Sequence, residues 1–284
     1  MKTDSNRAQT ASQVLIQERL QWEEAAARLP LPAGVQSKKV LIAGVNCAWV
    51  YAQGGMDDAA IMYLHGGGLV TGSIVTHLSL AASISVAAKI PVLLVDYRLL
   101  PEHPYPASLT DTLRVYRNLI EDYGFAAQRV VFGGDSSGAG LALAAMVSLR
   151  DSAQPLPGKS FCICGAFDMS LSGESMLQND GLDPLLTLNE LKQWRDSYLT
   201  SPAMPQLSAL NAALHSLPEV LLLAGGNDLW LSDSVRVAEK IRHSGGQAQL
   251  RVWPDMGHMW LMDNALAESH QGLMEIGQFA SAGW

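Results

Sequence analysis

The chain lacks the compositional features of disulfide-rich, membrane-spanning and nucleic-acid-binding proteins. Of its 284 residues, 3 are cysteines and 16% are charged, and 27 acidic side chains outnumber 19 basic ones for a formal charge of −8. Three cysteines cannot build a disulfide framework, and a net negative chain repels nucleic-acid backbones and anionic lipid. The composition therefore argues against nucleic acids and membranes as partners.

Long apolar runs are also missing. The N-terminus is polar and lacks the apolar core of a secretion signal. No apolar run elsewhere approaches the roughly 20 residues that a membrane-spanning helix needs. We therefore expect a cytoplasmic protein.

The three cysteines, Cys47, Cys162 and Cys164, have no second cluster of cysteine or histidine residues that would complete a metal ligand set. Cys162 and Cys164 stand two positions apart in an apolar run, and this spacing places both side chains on one face of a strand. We interpret all three as buried thiols rather than as a metal or redox site.

What the sequence does contain is an alternation of strand and helix patterns. With 48% apolar residues, a chain of this length can bury roughly three quarters of its extended surface. The alternation indicates an α/β fold with a mostly parallel, doubly wound sheet flanked by helices, and tight early connections indicate an antiparallel start. The eight strand candidates are Lys39–Ala43, Ala48–Ala52, Ala60–Leu64, Pro91–Asp96, Arg129–Gly133, Ser160–Gly165, Glu219–Ala224 and Ala248–Trp253. The helix candidates between them are Leu78–Lys89, Leu109–Tyr123, Ala139–Ser152 and Ser234–Ser244.

Two stretches fall outside this alternation. The first, Gln13–Leu29, has an amphipathic helical pattern before any strand, and the second, residues 169–217, holds one helix candidate at Leu188–Leu199. A long excursion between two strands of a compact domain usually has a function. We predict a single α/β-hydrolase domain over residues 1–284 with lid elements at residues 1–33 and 169–217.

A serine pattern follows the fifth strand candidate, Gly134-Asp135-Ser136-Ser137-Gly138, and leads directly into a helix of small residues. A serine on a sharp strand-to-helix turn needs glycine at both flanks, because the turn is strained and the neighbouring chain packs close. The pattern alone arises easily by chance, but its placement favours a nucleophile elbow with Ser136 as the nucleophile.

A rarer pattern, His65-Gly66-Gly67-Gly68, closes the third strand candidate. Three glycines at a strand end let backbone N–H groups face a cavity, which is how acyl-transfer enzymes bind the oxyanion of a tetrahedral intermediate. The alternative is a phosphate-binding loop, but no Lys-Ser/Thr pair follows, and the Gly-x-Gly-x-x-Gly spacing is absent. We interpret His65 as a brace of this loop.

A nucleophilic serine needs a base, and the base needs an acid that orients it. Among 7 histidines, His258 alone lies in a short glycine-containing loop between the last strand candidate and the final helix. The acid is expected after the seventh strand, where Asp228 and Asp233 both qualify, and Asp233 has an alternative role as an N-cap of the following helix. The preferred order, Ser136, Asp228, His258, is that of α/β-hydrolases.

At these motifs the chain resembles the bacterial hormone-sensitive-lipase-like esterases, family IV of the α/β-hydrolase fold. The segments at 228–234 and 253–258 look like that family's acid and histidine loops, so the resemblance runs from about Gly34 to the C-terminus. Within the family, the chain looks most like the branch of monoterpene lactone hydrolases and short-chain carboxylesterases. The other matching segments are Tyr63-Leu64-His65-Gly66-Gly67-Gly68, Asp96-Tyr97-Arg98-Leu99-Leu100-Pro101-Glu102-His103-Pro104-Tyr105-Pro106-Ala107 and Gly134-Asp135-Ser136-Ser137-Gly138.

The resemblance implies an oxyanion hole made of the backbone amides of Gly67, Gly68 and Ser137. It also implies that the lid combines the N-terminal helix with the excursion at 169–217. The family commonly places alanine after the nucleophile, and the serine found there in this chain contributes its amide alone.

Three apolar residues, Leu69, Met256 and Met259, are candidate substrate-binding residues. The family commonly has an aromatic residue after the three glycines, so Leu69 implies a different wall of the acyl pocket. The two methionines flank the histidine of the last loop, and plain core packing is their alternative role.

Charged residues of the same motifs have structural interpretations. Asp96 and Arg98 are expected to form a charged pair that ties loops together, and Asp135 is expected to brace its loop rather than act as a base.

Together these residues predict a serine carboxylesterase that forms an acyl-enzyme on Ser136, acts on short to medium acyl esters or small lactones, and needs no metal or organic cofactor. An arylformamidase-type amide hydrolase is one alternative, separable by comparing amide with ester turnover. A non-catalytic ligand receptor of the same fold is another, separable by covalent labelling of the serine. A homodimer through the strand candidate Ala248–Trp253, an unpaired sheet edge, is a further expectation.

Overall fold

An eight-stranded sheet forms the centre of the molecule. The computed structural model describes residues 2–199 and 208–283. The strands lie in the order β1-β2-β4-β3-β5-β6-β7-β8, and all eight strand candidates are confirmed apart from small differences at their ends. The strands are β1 Gln36–Ile42, β2 Val45–Tyr51, β3 Ala60–Leu64, β4 Val92–Val95, β5 Val130–Asp135, β6 Lys159–Ile163, β7 Glu219–Gly225 and β8 Ala248–Trp253.

The sheet begins antiparallel and continues parallel, as predicted. β1 and β2 form a hairpin whose two turn residues, Ala43 and Gly44, have φ values of 49° and 82°. Two positive φ values are typical of the type I′ turn, whose twist fits a hairpin. β2 pairs antiparallel with β4, and the later pairs are parallel. The carboxyl ends of β3 to β8 therefore meet at one edge, where α/β folds place their sites.

Helices cover both faces of the sheet. In the part of the chain that the structure describes, they are α1 Lys2–Ala26, α2 Ile74–Ala88, α3 Ala107–Glu121, α4 Ser136–Asp151, α5 Ser175–Gln178, α6 Leu188–Tyr198, α7 Leu231–His243 and α8 Ala267–Ser281. α2 and α8 pack over one apolar cluster, and α3, α4 and α7 pack over another on the opposite face. Among these helices, none is long and apolar enough to cross a bilayer.

Both faces of the central strands are buried, because successive side chains of a strand enter opposite clusters. In β3, Met62 and Leu64 lie in the cluster beneath α3 and α4, whereas Ile61 and Tyr63 lie in the cluster beneath α2. A strand covered on both faces is apolar throughout, which explains why the strand candidates appear as unbroken apolar runs.

The segments predicted as lid elements contain the helices expected there. The helical pattern at 13–29 falls largely within α1, and the pattern at 188–199 corresponds to α6, which begins with a capping box between Thr187 and Glu190. Met1 of the first segment and residues 200–207 of the second lie outside the described residues.

One side chain of α1, Arg19, attaches this helix to the chain beyond the glycine motif. Its Nε donates to the carbonyl of Val70 at 2.7 Å, and its Nη2 donates to the carbonyl of Leu100 at 2.7 Å. The same guanidinium pairs with Glu102 at 2.8 Å. Two backbone oxygens near the site thus obtain their donor from the N-terminal helix.

All three cysteines are buried free thiols, but one prediction about them is wrong. Cys162 lies in the cluster beneath α4, whereas Cys164 lies in the cluster on the opposite face. β6 ends at Ile163, and Cys164 has a φ of 47°. A left-handed residue interrupts the alternation of the strand, so the thiol of Cys164 turns to the other side.

The predicted pair of Asp96 and Arg98 is also wrong. Arg98 instead forms a bidentate pair with Asp111 of α3, with Nε and Nη2 each 2.8 Å from a carboxylate oxygen. The backbone amide of Arg98 donates to the same carboxylate at 3.0 Å. Asp96 accepts the backbone amide of Ile74 at the start of α2. The partner of Arg98 therefore lies within α3, whereas Asp96 lies in the chain after β4 and contacts the start of α2.

Candidate active site

Ser136 stands at the turn where β5 passes into α4. β5 ends at Asp135, and Ser136 begins the helix with a φ of 50°, a left-handed conformation that is uncommon for a non-glycine residue. The turn has no room for larger flanking residues, because a Cβ on Gly138 would lie 2.1 Å from the carbonyl oxygen of Leu64. Ser136 is partly exposed while its chain neighbours are buried, so the turn presents this one side chain.

His258 and Asp228, the residues predicted as base and acid, form a chain of contacts that begins at Ser136. His258 Nε2 lies 3.0 Å from Ser136 Oγ, and His258 Nδ1 lies 3.1 Å from Asp228 Oδ1. The three residues follow β5, β8 and β7, whose carboxyl ends share one edge of the sheet. Since an ionised carboxylate only accepts hydrogen bonds, Nδ1 carries the proton and Nε2 is free to accept one from the serine hydroxyl.

The surroundings of His258 favour its protonated form. Burial by itself lowers the pKa of the imidazole, but Asp228, through its charge and its hydrogen bond, and the charges of Asp183 and Asp135 raise that pKa above its usual value. Asp228 Oδ1 also accepts the amide of Trp230 at 2.9 Å, which fixes the carboxylate. The site therefore stabilises an imidazolium beside the serine, the form that a general base takes after accepting a proton.

The second acid candidate, Asp233, belongs to a different cluster. It is the third residue of α7 rather than the N-cap, so the predicted capping role is wrong. Its carboxylate accepts the amides of Phe167 and Asp168 at 2.9 and 2.7 Å and pairs with Arg236 at 2.6 Å. Burial raises the pKa of Asp233 to about 6. These contacts connect the chain after β6 to α7. The acid that contacts His258 is therefore Asp228.

The glycine motif after β3 offers unpaired backbone donors. Gly67 and Gly68 have φ values of 109° and 64°, and in the described part of the chain neither amide donates a hydrogen bond. Ser137 is the second residue of α4, where an amide has no acceptor within the helix. The amide of Leu69 donates to Ser137 Oγ at 3.2 Å, which joins this motif to the serine turn. The expectation that Ser137 contributes its amide alone is therefore wrong, because its hydroxyl also holds the glycine motif.

Asp135 braces the serine turn against the glycine motif, as predicted. Its Oδ1 accepts the hydroxyl of Tyr63 at 2.8 Å and the amide of Gly66 at 3.0 Å, and its Oδ2 lies 3.3 Å from His77 Nε2. Burial alone raises the pKa of Asp135, but the nearby His77 and the hydroxyl of Tyr63 lower it overall. The carboxylate therefore stays ionised and occupied with structural contacts.

His65 lies behind the glycine motif and stacks on Tyr97, with ring centroids 4.3 Å apart. Its Nδ1 lies 2.8 Å from the carbonyl oxygen of Gly66, so Nδ1 carries the proton. Within the described residues, Nε2 has no hydrogen-bond partner. Burial lowers the pKa of His65 to about 3, and this neutral ring supports the loop as predicted.

The three candidate substrate-binding residues fall in two apolar clusters. Leu69 is buried in the cluster beneath α3 and α4, whereas Met259 is buried in, and Met256 packs against, the cluster beneath α2 and α8. Each lies within two positions of a residue of the glycine motif or of His258.

A cavity of about 210 Å³ lies between α1 and the start of α2. Ser136, Asp228 and His258 do not line this cavity, and charged and polar side chains form much of its wall. Its lining residues are Arg19, Glu23, Gly72, Ser73, Thr76, Asp96, Tyr97 and Leu99. The N-terminal helix therefore forms one wall of this cavity.

Three polar residues at the site lie outside the recognised motifs. The Sγ of Cys164 and ligand atoms of Asp228 and His258 all lie within 4.8 Å of one another, the one such group of possible metal ligands among the described residues. Two members of this group already belong to the serine–histidine–acid chain. Asn179 donates to the carbonyl of Asp228 at 2.8 Å, and Asp183 accepts the amide of His258 at 3.2 Å. Asn179 and Asp183 lie in the long excursion at 169–217, and this position was the one sequence signal that pointed to these two residues.

Comparisons with known proteins agree with this geometry. A family model described as alpha/beta hydrolase fold matches residues 61–262, which include the serine, the acid and the histidine. A solved esterase from the bacterial hormone-sensitive lipase family has a TM-score of 0.90 and 37% identity, covering 94% of this chain and 91% of that chain. This chain belongs to the bacterial hormone-sensitive lipase family, family IV.

Two relatives of this hormone-sensitive lipase family member are named as an acetyl-hydrolase and an esterase. An acetyl-hydrolase from Streptomyces hygroscopicus is 33% identical over 240 residues, which cover 84% of this chain and 79% of that protein. An esterase from Acinetobacter venetianus is 31% identical over 252 residues, which cover 87% of this chain and 82% of that protein. With Ser136, His258 and Asp228 arranged as a triad, the protein is a serine esterase that hydrolyses carboxylic esters.

Proposed function

We propose that this esterase cleaves its substrates through an acyl-enzyme on Ser136. The observation that carries the proposal is the unbroken line of contacts from Asp228 through His258 to Ser136 Oγ, at 3.1 and 3.0 Å. Ser136 Oγ attacks the ester carbonyl carbon while His258 Nε2 accepts its proton, and Asp228 stabilises the imidazolium that results.

The backbone amides of Gly67, Gly68 and Ser137 are the proposed donors to the oxyanion of the tetrahedral intermediate. Each donor of this kind lowers the barrier by about 3 kcal/mol. When the intermediate collapses, His258 returns its proton to the departing alcohol and the acyl group stays on Ser136. A water molecule then attacks the acyl-enzyme with His258 again as base, which releases the acid and restores the serine.

For the substrate, we propose short to medium acyl esters and small lactones, such as those of the monoterpene lactone hydrolase branch. The name of the acetyl-hydrolase relative supports a short acyl group. Leu69, which follows the glycine motif, is the proposed wall of the acyl pocket, and Met256 and Met259 are proposed to contact substrate beside the histidine. A set of p-nitrophenyl esters from acetate to laurate, with one monoterpene lactone, tests this range.

The segments 1–33 and 169–217 are proposed to act as the lid of this single-domain enzyme. α1 is attached beside the glycine motif through Arg19, and α6 reaches that motif through Trp194, whose Nε1 donates to the carbonyl of Gly68 at 3.0 Å. A lid built from these two segments would place α1 and α6 over the approach to Ser136.

A homodimer is proposed to form through β8. This strand pairs with β7 along one side and ends the sheet, and Arg251 and Val252 on it are exposed. An edge strand with free backbone groups pairs readily with a second copy. Sedimentation at several protein concentrations tests this proposal, and a proline in place of Val252 should favour the monomer.

The decisive experiment removes the nucleophile. Ser136→Ala should abolish hydrolysis of p-nitrophenyl butyrate, and His258→Gln should lower kcat by roughly a thousandfold or more. Ser148→Ala, in the same helix, is the matched control and should keep wild-type turnover. A fluorophosphonate should label the wild type and the control but not Ser136→Ala. Retained turnover in Ser136→Ala would reject the acyl-enzyme on this residue.

A further inference from the structure

We infer that Asp183 is a positioning residue of the triad, whose buried carboxylate joins the acid loop to the histidine loop and places a second negative charge beside His258. The inference rests on the proposed function, because it concerns the residue assigned as general base. Asp183 lies in the excursion between β6 and β7, in the turn that follows α5.

One oxygen of Asp183 contacts both loops. Its Oδ2 accepts the backbone amide of Leu229 and the backbone amide of His258, each at 3.2 Å. Leu229 directly follows Asp228, so a single oxygen atom holds the chain next to the acid and the chain of the base. The carboxylate thereby bridges the two loops, which also contact each other directly, since the amide of Asn227 donates to the carbonyl of Met256 at 2.9 Å.

The other oxygen anchors the carboxylate in its own segment. Oδ1 accepts the amides of Leu185 and Leu186 at 2.9 and 3.2 Å. All four contacts of the carboxylate are therefore with N–H donors, as an ionised group requires, and Asp183 is 7% exposed. A neutral side chain cannot accept from all four donors.

The neighbouring residues support the same two loops. Asn179 Nδ2 donates to the carbonyls of Gly226 and Asp228 at 3.0 and 2.8 Å. Ser175 Oγ donates to the carbonyl of Leu229 at 2.6 Å. Beside the histidine, a Cβ on Gly257 would lie 2.2 Å from Cδ of Pro184, so the segment packs directly on this loop. The residues that support the acid loop and the histidine loop are thus Ser175, Asn179, Asp183 and Pro184.

The charge of Asp183 acts on the imidazole directly. The charged and titratable groups that face His258 are Asp228, Asp183, Asp135 and Cys164, the last of which burial keeps protonated by raising its pKa. The carboxylate of Asp183 raises the pKa of His258, after the larger effects of burial, which lowers it, and of Asp228. Removal of this charge therefore lowers the pKa of the base, and the neutral imidazole persists to lower pH.

The test compares Asp183→Asn with the matched control Asp180→Asn. Asp180 is exposed, lies three positions away, and accepts a backbone amide of α6 at 3.0 Å without contact to either loop. Active sites are counted by fluorophosphonate titration, and kcat and kcat/KM for p-nitrophenyl butyrate are measured from pH 5 to 9. The rate of fluorophosphonate labelling over the same range reports on Ser136 and His258 without an ester substrate.

In Asp183→Asn, the acid limb of kcat/KM and of labelling should move down by about half a pH unit or more. The plateau kcat should fall about tenfold with KM within twofold, because the contacts of the Asp183 carboxylate are with backbone amides of the chain. The control, Asp180→Asn, should match the wild type in the position of the acid limb and in the plateau kcat. An unchanged acid limb with lower stability alone would show a purely structural role and overturn the inference.

If Asp183→Asn does not fold, Asp183→Glu retains the charge and displaces it by one methylene. Its acid limb should coincide with that of the wild type while kcat per active site falls at least fivefold, and wild-type kcat would overturn the inference. Failure of the proposed function is distinguishable, because in that case the wild type itself shows no turnover and no labelling of Ser136.

Discussion

The indole nitrogen of Trp194 donates a hydrogen bond of 3.0 Å to the carbonyl oxygen of Gly68. A Cβ on Gly68 would lie 2.6 Å from the same nitrogen, so the indole packs directly on the backbone of the glycine motif. Gly68 has a φ of 64°, and the contact holds this left-handed conformation in place. The excursion between β6 and β7 thus reaches the backbone that carries the proposed oxyanion donors.

Replacement of Trp194 by phenylalanine should lower kcat about fivefold, because loss of one neutral hydrogen bond is worth about 1 kcal/mol. Steady-state kinetics with p-nitrophenyl butyrate measure the change. Gln193→Ala, an exposed neighbour on α6, is the control and should leave kcat unchanged. Equal kcat in both variants would mean that the indole does not hold the glycine backbone.

The pH dependence of the esterase should follow His258. The imidazole must be neutral to accept the serine proton, and its pKa is raised above 6.5, since the effect of Asp228 and the other carboxylates exceeds the lowering by burial. Activity should therefore fall as pH decreases, with the half-maximal kcat/KM above pH 6.5. A pH–rate profile of the wild type checks this, and a midpoint below 6.5 would contradict it.

His65 should make the protein sensitive to acid. Its pKa is about 3 in the folded state because burial disfavours the charged ring, and about 6.5 in an unfolded chain. Between these values the unfolded chain binds a proton that the folded protein does not, so the free energy of unfolding falls as pH decreases. The slope from this residue is about 1.4 kcal/mol per pH unit.

His65→Gln should therefore show a shallower loss of stability between pH 6 and 4 than the wild type. Urea denaturation at several pH values measures the free energy of unfolding and its slope. His243→Gln, at an exposed position of α7, should keep the slope of the wild type. If the two variants have the same slope, His65 is not the group that couples folding to this proton.

The thiols should be unreactive in the folded protein. Burial raises the pKa of Cys47 and Cys162 to about 12, and burial together with Asp228 raises the pKa of Cys164 well above its usual value. Since the thiolate is the reactive form, Ellman's reagent should detect no thiol in the native protein and three after denaturation. Esterase activity should survive this treatment, and its rapid loss would contradict the burial of these side chains.

The sequence was most informative where a local pattern determines the outcome. Buried strands appear as apolar runs whatever the surrounding topology, and Ser136 and His258 lie in short glycine-containing loops that immediately follow strands. The choice of Asp228 over Asp233 rested on position relative to β7 and α7, and the 3.1 Å contact with His258 agrees with it.

The wrong predictions about Arg98 and Asp233 depended on contacts between distant segments. Arg98 has Asp96 two positions away, yet it pairs with Asp111 on α3, because the backbone after β4 aims the guanidinium at that helix. Asp233 has the residue type of an N-cap, but α7 begins earlier and the carboxylate accepts amides of the chain after β6. The role of Asp183 could not be assigned from the sequence, since nothing local to it indicates which amides it accepts.

The attachment of α1 has a consequence for protein engineering. Deletion of the first 28 residues would leave the carbonyls of Val70 and Leu100 without the guanidinium that now serves them, and it would expose the cavity between α1 and α2. Removal of α1 to open this cavity therefore carries a folding penalty, unless a new donor is supplied to those two oxygens. The opening of this cavity and the stability of the fold are coupled through a single arginine.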